Sequence, residues 1–302
     1  NKYRIEAIGH NLRIWVNGVM TSNLVDDVTP SGFIALQVHG IGNNKDREGS
    51  EVRWKNIRIK TTDLEKERWP VDPSVREINR IPNTLTENEI RKGWRLLWDG
   101  KTSEGWRGDR SVEFPAKGWE MKDGILTVLA DERGGSIMTK EVFSEFELIV
   151  DFNITEGANS GIKYFIDPEK VKTSGGLGFE FQILDDEKHP DAKKGVAGNR
   201  TVGSLYDLIR ADNLSIPGRK KEFRGVGNWN RARIVVKGNH VEHWLNDAKV
   251  VEYDRRSQML RALINYSKYS KHENFGQCEA GHILLQDHGD TVHFRNIKIR
   301  EL

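Results

Sequence analysis

GHILLQDHGDTVHFRNIKIREL, residues 281–302, has a close variant earlier in the chain: GFIALQVHGIGNNKDREGSEVRWKNIRIKTT at residues 32–62, with a longer loop in the middle. The segments ahead of each copy match as well, NKYRIEAIGHNLRIWVNG at 1–18 against NRARIVVKGNHVEHWLND at 230–247. Self-similarity of this kind bears on architecture before local propensity does. It predicts three parts: residues 1–62 as the C-terminal part of a first sandwich repeat, 63–91 as a linker, and 92–302 as a complete sandwich domain. A fragment of a sheet leaves open edges, so residues 1–62 are expected to pack on the complete domain, on an upstream segment or on another chain.

Period-two alternation sets the fold class. In FELIVDF, 146–152, Phe146, Leu148, Val150 and Phe152 point one way and Glu147, Ile149 and Asp151 the other. IKYFI (162–166), FEFQIL (179–184), ARIVV (232–236), HILLQ (282–286) and VHFRNIKI (292–299) read as further strands, separated by turn-forming segments such as EGANSG and DDEKHPDAKKG. Many strands without regular intervening helices predict an all-β, antiparallel two-sheet sandwich. The charged, proline-bearing stretch 64–93 reads as the linker, with a helical turn that Thr86 and Glu89 can cap. SLYDLI, 204–209, reads equally as a strand end or a short helix.

Composition excludes several classes. The 47 basic and 45 acidic residues are interspersed for a net charge of +2, so no basic stripe awaits a nucleic acid. The one cysteine, Cys278, rules out an intrachain disulfide and a zinc site built on several thiolates. No apolar run reaches membrane-spanning length. Neither a dinucleotide-binding glycine loop nor a nucleophile elbow is present.

Seven segments occur in an order with a known counterpart: LLWDGKTSEGW (96–106), WEMKDGILTV (119–128), ANSGIKYFI (158–166), GFEFQILDDEKHPDAKKG (178–195), GSLYDL (203–208), WNRARIVVKGNHVEHWLND (229–247) and LLQDHGDTVHFRNIKI (284–299). Together they resemble the 3-keto-disaccharide hydrolase domain family across nearly all of 92–302, and residues 1–62 resemble the last third of a second copy. The resemblance implies a concanavalin-like jelly roll, a periplasmic or secreted location, and an oxidised disaccharide or glycoside as substrate. A carbohydrate-binding module of the same shape is the alternative.

A ketone at C3 acidifies the C2 proton, so a general base, a cation or donor for the enolate oxygen and an acid for the leaving group are the groups to seek. Alternation places Glu180 and Gln182 together, opposite Phe179, Phe181 and Ile183. Glu180 is the candidate base and Gln182 a sugar contact. Gln286 and His288 share a face of LLQDHG, His288 as a catalytic candidate. His243 stands where the first copy has Ile14 and is the third catalytic candidate. Tyr206 is a hydroxyl donor and Lys163 a cation for the enolate. Asp185, Asp186 and His189 crowd one loop that would suit a divalent ion, though their spacing specifies no metal.

Overall fold

The computed structural model describes residues 1–171 and 176–302, and the chain divides into two compact units, Asn1–Ile81 and Pro82–Leu302.

In the second unit the alternating segments form two antiparallel sheets. The larger runs, edge to edge, Ala248–Asp254, His240–Leu245, Asn230–Lys237, Phe146–Ile154, Val292–Glu301, Ile125–Val128 and Trp119–Lys122, with Arg95–Leu96 also paired to Val292–Glu301. The smaller runs Phe179–Leu184, Asn159–Ile166, His282–Leu285, Ile137–Thr139 and Trp106–Gly108. Their facing sides supply the core: Phe146, Phe152, Phe294, Ile234 and Val236 from the larger sheet meet Ile162, Tyr164, Phe179, Phe181 and Leu285 from the smaller, all at most 1% exposed. Each such side chain contributes roughly 1.5–3 kcal/mol of transfer energy, so the sandwich is held by its interlayer contacts. The antiparallel two-sheet sandwich expected from alternation is what forms.

The outward side of the larger sheet carries no apolar stripe. Arg233 and Arg300 both bind Glu147, Arg231 binds Asp151, and Arg233 lies 4.7 Å over the Trp244 ring. Trp94 and Trp229 likewise carry arginines over their faces. Trp98, Trp106 and Trp119 are buried, with indole nitrogens donating to the carbonyls of Thr102, Leu97 and Gly135. These rings pack; they are not a row of open stacking platforms. The turn Glu87–Arg91 is capped as expected, Thr86 Oγ accepting from the Glu89 amide and the Glu89 carboxylate from the Thr86 amide.

The first unit is a meander, Tyr3–Ile8, Asn11–Val16 and Val19–Val25, extended in parallel by Ile78–Asn79. It repeats a detail of the meander Asn230–Asp254. The second hairpin bulges between Ile14 and Trp15, as the later one does between His243 and Trp244. Both tips also carry two positive φ angles, at Asn17–Gly18 and Asn246–Asp247, the turn that suits strand twist. Residues 32–39 and 51–60, whose counterparts 281–299 are largely central strands, form no strand here, and Phe33, Ile34, Val38 and Trp54 stay exposed. The counterparts pair with Asn159–Ile166, Ile137–Thr139 and Phe146–Ile154. Among the described residues of the first unit no equivalent ladder exists, and a strand without one leaves its backbone groups unpaired.

Candidate active site

The registers of the smaller sheet fix what lies on its side away from the core. Glu180 is opposite Lys163, Lys163 opposite Leu284, Leu284 opposite Met138 and Met138 opposite Arg107. Two residues along, Gln182 faces Gly161, whose carbonyl accepts from the Gln286 amide, and the row ends with Ser136 and Asp109, joined by an amide-to-carbonyl bond of 2.9 Å. Side chains two apart on a strand share a face. Two rows therefore run across this outer side, with charged and amide groups at one end and Leu284 and Met138 buried in the middle, where they pack with Ile166 and Val171.

Segment 203–209 prolongs both rows past the sheet edge. Leu205 bridges Phe181 and Ile209, the Tyr206 amide donates to the Glu180 carbonyl, and the Gln182 amide donates to the Ser204 carbonyl. The segment is an edge strip, neither a regular strand nor a helix, and it sets Tyr206 beside Glu180. Arg200 staples it: Nε donates to Asp207 (2.7 Å) and a terminal nitrogen to Asp191 (2.9 Å), while Tyr206 Oη donates to the other Asp191 oxygen (2.6 Å). Burial and the Asp191 hydrogen bond push the Tyr206 phenol above its ordinary range, so it stays protonated.

Glu180 is 5% exposed at this crowded end. Its carboxylate lies 3.8 Å from Lys163 Nζ. With its amide nitrogen turned toward Glu180, Gln182 donates to that carboxylate (3.1 Å) and to the Ser160 carbonyl (3.2 Å). Gly161 explains why the carboxylate reaches this place: a methyl group on its Cα would fall on the Glu180 carboxyl atoms. Glycine here answers a close approach rather than a turn.

Glu180 and Gln182 thus share a face as alternation implied, Lys163 lies on the adjacent strand, Gln286 directly follows the strand beyond it, and Tyr206 joins Glu180 from the edge strip. His288 lies beyond them, exposed on the rim, its ring 6.3 Å from that of His189. His243 does not join them. It is wholly buried in the core, Nε2 2.7 Å from Tyr164 Oη and Nδ1 3.1 Å from the Gly203 carbonyl. A carbonyl only accepts, so Nδ1 carries the proton and Nε2 accepts from Tyr164, which in turn is 2.8 Å from Tyr253 Oη. Burial pushes the imidazole pKa down to about 4. The correction has a simple cause: strand 240–245 belongs to the larger sheet, and the face shared by Val241, His243 and Leu245 is its inner one.

The acidic loop is also spoken for. Asp185 accepts the amides of Gly157, Glu187 and Lys188; Asp186 holds Lys221 (2.7 Å) and the Val202 amide; His189 Nδ1 accepts from the Asp191 amide. These three side chains serve the loop and do not converge. Three potential ligand atoms do lie close together at His240, Glu242 and Glu252 on the outer side of the larger sheet, where Lys249 Nζ binds both carboxylates.

Sequence reasoning missed three charged residues of this region. Arg107 lies in the edge strand Trp106–Gly108 and Asp109 directly follows it, a pattern too brief to register. Burial holds the half-buried Asp109 carboxyl above its usual range. The third, Lys268, sits in the turn Lys268–Lys271 with its ammonium 4.1 Å from the Tyr206 ring centre, far from 180 in sequence and outside any strand.

The model of the 3-keto-alpha-glucoside-1,2-lyase-like domain matches residues 1–60 and 93–300. A 3-keto-disaccharide hydrolase of Bacteroides thetaiotaomicron is 34% identical over 236 residues, covering 70% of this chain and 79% of that protein. Two crystal structures of candidate glycosyl hydrolases from Parabacteroides distasonis are similar. One has TM-score 0.64 and 27% identity and covers 74% of this chain and all of the other; the second has TM-score 0.51 and 29% identity and covers 69% and 99%.

Proposed function

Because the chain belongs to the 3-keto-alpha-glucoside-1,2-lyase-like family, we propose that the charged end of the smaller sheet's outer side, around Glu180, cleaves a glycoside already oxidised to a ketone at C3, beginning with removal of the C2 proton. The chain is an enzyme of the glycoside hydrolase type, and the reading concerns which bond is attacked first. One observation carries it: Glu180 and Lys163 are cross-strand neighbours with carboxylate and ammonium 3.8 Å apart. The C2 hydrogen and the C3 oxygen of such a substrate are on adjacent carbons. A carboxylate and an ammonium at this separation can meet the two at once.

Glu180 takes the C2 proton, and the C–H electron pair becomes the enolate, whose oxygen faces Lys163. The enolate then re-forms the C3 carbonyl, a double bond forms between C1 and C2, and the C1–O bond breaks. The aglycone leaves as an alcohol once protonated. Water adding back across the double bond would complete a net hydrolysis. Gln182 holds the Glu180 carboxylate in place, and Gln286 stands beyond Gly161 in the same row. A direct displacement at C1 would instead use two opposed carboxylates.

Glu180→Gln keeps size and removes the base. Turnover of a 3-keto-disaccharide should fall by about a hundredfold to ten-thousandfold, the range for general base catalysis, with sugar binding retained. Unchanged turnover would refute the assignment. Assays with and without a chelator address whether a divalent ion takes part. Binding by the native protein without turnover would mark a carbohydrate-binding module.

A further inference from the structure

The geometry points to Lys268 as the acid that protonates the departing aglycone, which rests on the elimination reading above. Glu180 has a neighbour on each side. On the sheet side stands Lys163, one strand in. On the edge side stands Tyr206, whose amide binds the Glu180 carbonyl, and above the Tyr206 ring lies Lys268 Nζ. C2 of the sugar likewise has a neighbour on each side, C3 with its oxygen and C1 with the leaving group. A base centred on C2 with Lys163 toward C3 leaves the edge side, and Lys268, for C1.

The turn that carries Lys268 is firmly built. Tyr269 stacks on Phe275 at 4.0 Å, Phe275 meets Phe179 edge-on at 5.1 Å, and Phe179 precedes Glu180 in the same strand. The Lys268 amide donates to Asp207 (3.2 Å) and the Tyr269 amide to Ser267 Oγ (3.0 Å). The ammonium itself contacts the faces of Tyr206 and Tyr269, and both phenols are held protonated. A lysine satisfied by ring faces keeps its N–H groups for a substrate. The residue is exposed overall, so substrate can approach. Around the ammonium, burial outweighs the attraction of Glu180 and Asp207 and is joined by repulsion from Lys163 and Arg200, so its pKa lies below the ordinary lysine value. That moves it toward acid catalysis near neutral pH.

Protons balance over the cycle. Glu180 gains one from C2, Lys268 gives one to the leaving oxygen, and return of the Glu180 proton to Lys268 through solvent restores both.

Leaving-group chemistry tests the role. Lys268→Met and Lys268→Arg are compared with the native chain on a 3-keto-disaccharide, whose leaving alcohol needs a proton, and on a 4-nitrophenyl 3-keto-glucoside, whose nitrophenolate does not. Both variants should lose about a hundredfold or more on the disaccharide and stay within about fivefold on the nitrophenyl substrate, and that activity also reports folding. Arginine keeps the charge but is too weak an acid, so rescue by Lys268→Arg would overturn the proposal. Equal loss on both substrates, or no loss on either, would also overturn it. If the native chain turns over neither keto-substrate, the elimination reading itself falls, a result distinct from any of these.

Discussion

Gly161 ties backbone to chemistry at the level of a single residue. Because the Glu180 carboxylate lies where a side chain at 161 would project, Gly161→Ala should displace the base while leaving the ladder pairing intact. The expected result is a fall in kcat of about tenfold to a thousandfold with a stability change near 1 kcal/mol, read by kinetics beside denaturant melts. His243 makes the opposite prediction. Its replacement by leucine leaves Tyr164 Oη and the Gly203 carbonyl without buried partners and should cost about 2–4 kcal/mol. The native imidazole titrates near 4, against 6.5 when unfolded. Below 6.5 the unfolded chain binds the extra proton. Stability from this group is therefore complete above pH 6.5 and declines as pH falls toward 4, by about 3 kcal/mol at roughly 1.4 kcal/mol per unit. Denaturant melts across that window should show the slope in the native chain and its absence in His243→Leu.

Among the elements, the edge strip 203–209 and the Arg200 staple matter most. Arg200, Asp191 and Asp207 are between 7% and 20% exposed at their side chains, so losing the guanidinium strands two partly buried carboxylates. Arg200→Met should cost about 1–3 kcal/mol and speed hydrogen exchange at the amides of Gly203 and Tyr206, which bond to strand 179–184. Unchanged exchange would mean that the strip holds without its staple. The strip also shows where the sequence stopped being readable. Alternation of period two predicted the strands at 146–152, 179–184, 232–236 and 292–299 and the common face of Glu180 and Gln182, because a buried sheet face imposes that period. It carried no information on which strand of the sandwich turns which side inward, so His243 fell on the wrong face. Nor can it reveal a lysine delivered by a turn: the stacking of Tyr269, Phe275 and Phe179 anchors the Lys268 turn to the strand that carries Glu180. Segments 32–39 and 51–60 have the alternation of strands without being strands, since a strand also needs a partner.

On the scale of the molecule, every group assigned to the site lies within Pro82–Leu302, a unit with its own core. Residues 82–302 expressed alone should fold cooperatively and keep the full turnover of the whole chain, as calorimetry and kinetics would show. A large loss would mean that the first unit contributes to the site. Charge complements the fold at this scale too. The outer side of the larger sheet is closed by arginine–glutamate and arginine–tryptophan contacts, whereas the outer side of the smaller sheet presents Glu180, Lys163, Gln286 and Arg107. One side of the sandwich is sealed by its own ion pairs; the other is closed in its middle by the apolar cluster of Met138, Ile166, Val171 and Leu284 and carries its charged groups at the ends.

The central claim is that bond breaking starts at C2–H, and a 3-keto-disaccharide deuterated at C2 tests it most directly. The account predicts that the label is lost from the released sugar, that Glu180→Gln abolishes the loss, and that turnover slows with deuterium when proton removal limits the rate. Release of a sugar that still carries its C2 deuterium would contradict it and point to direct displacement at C1.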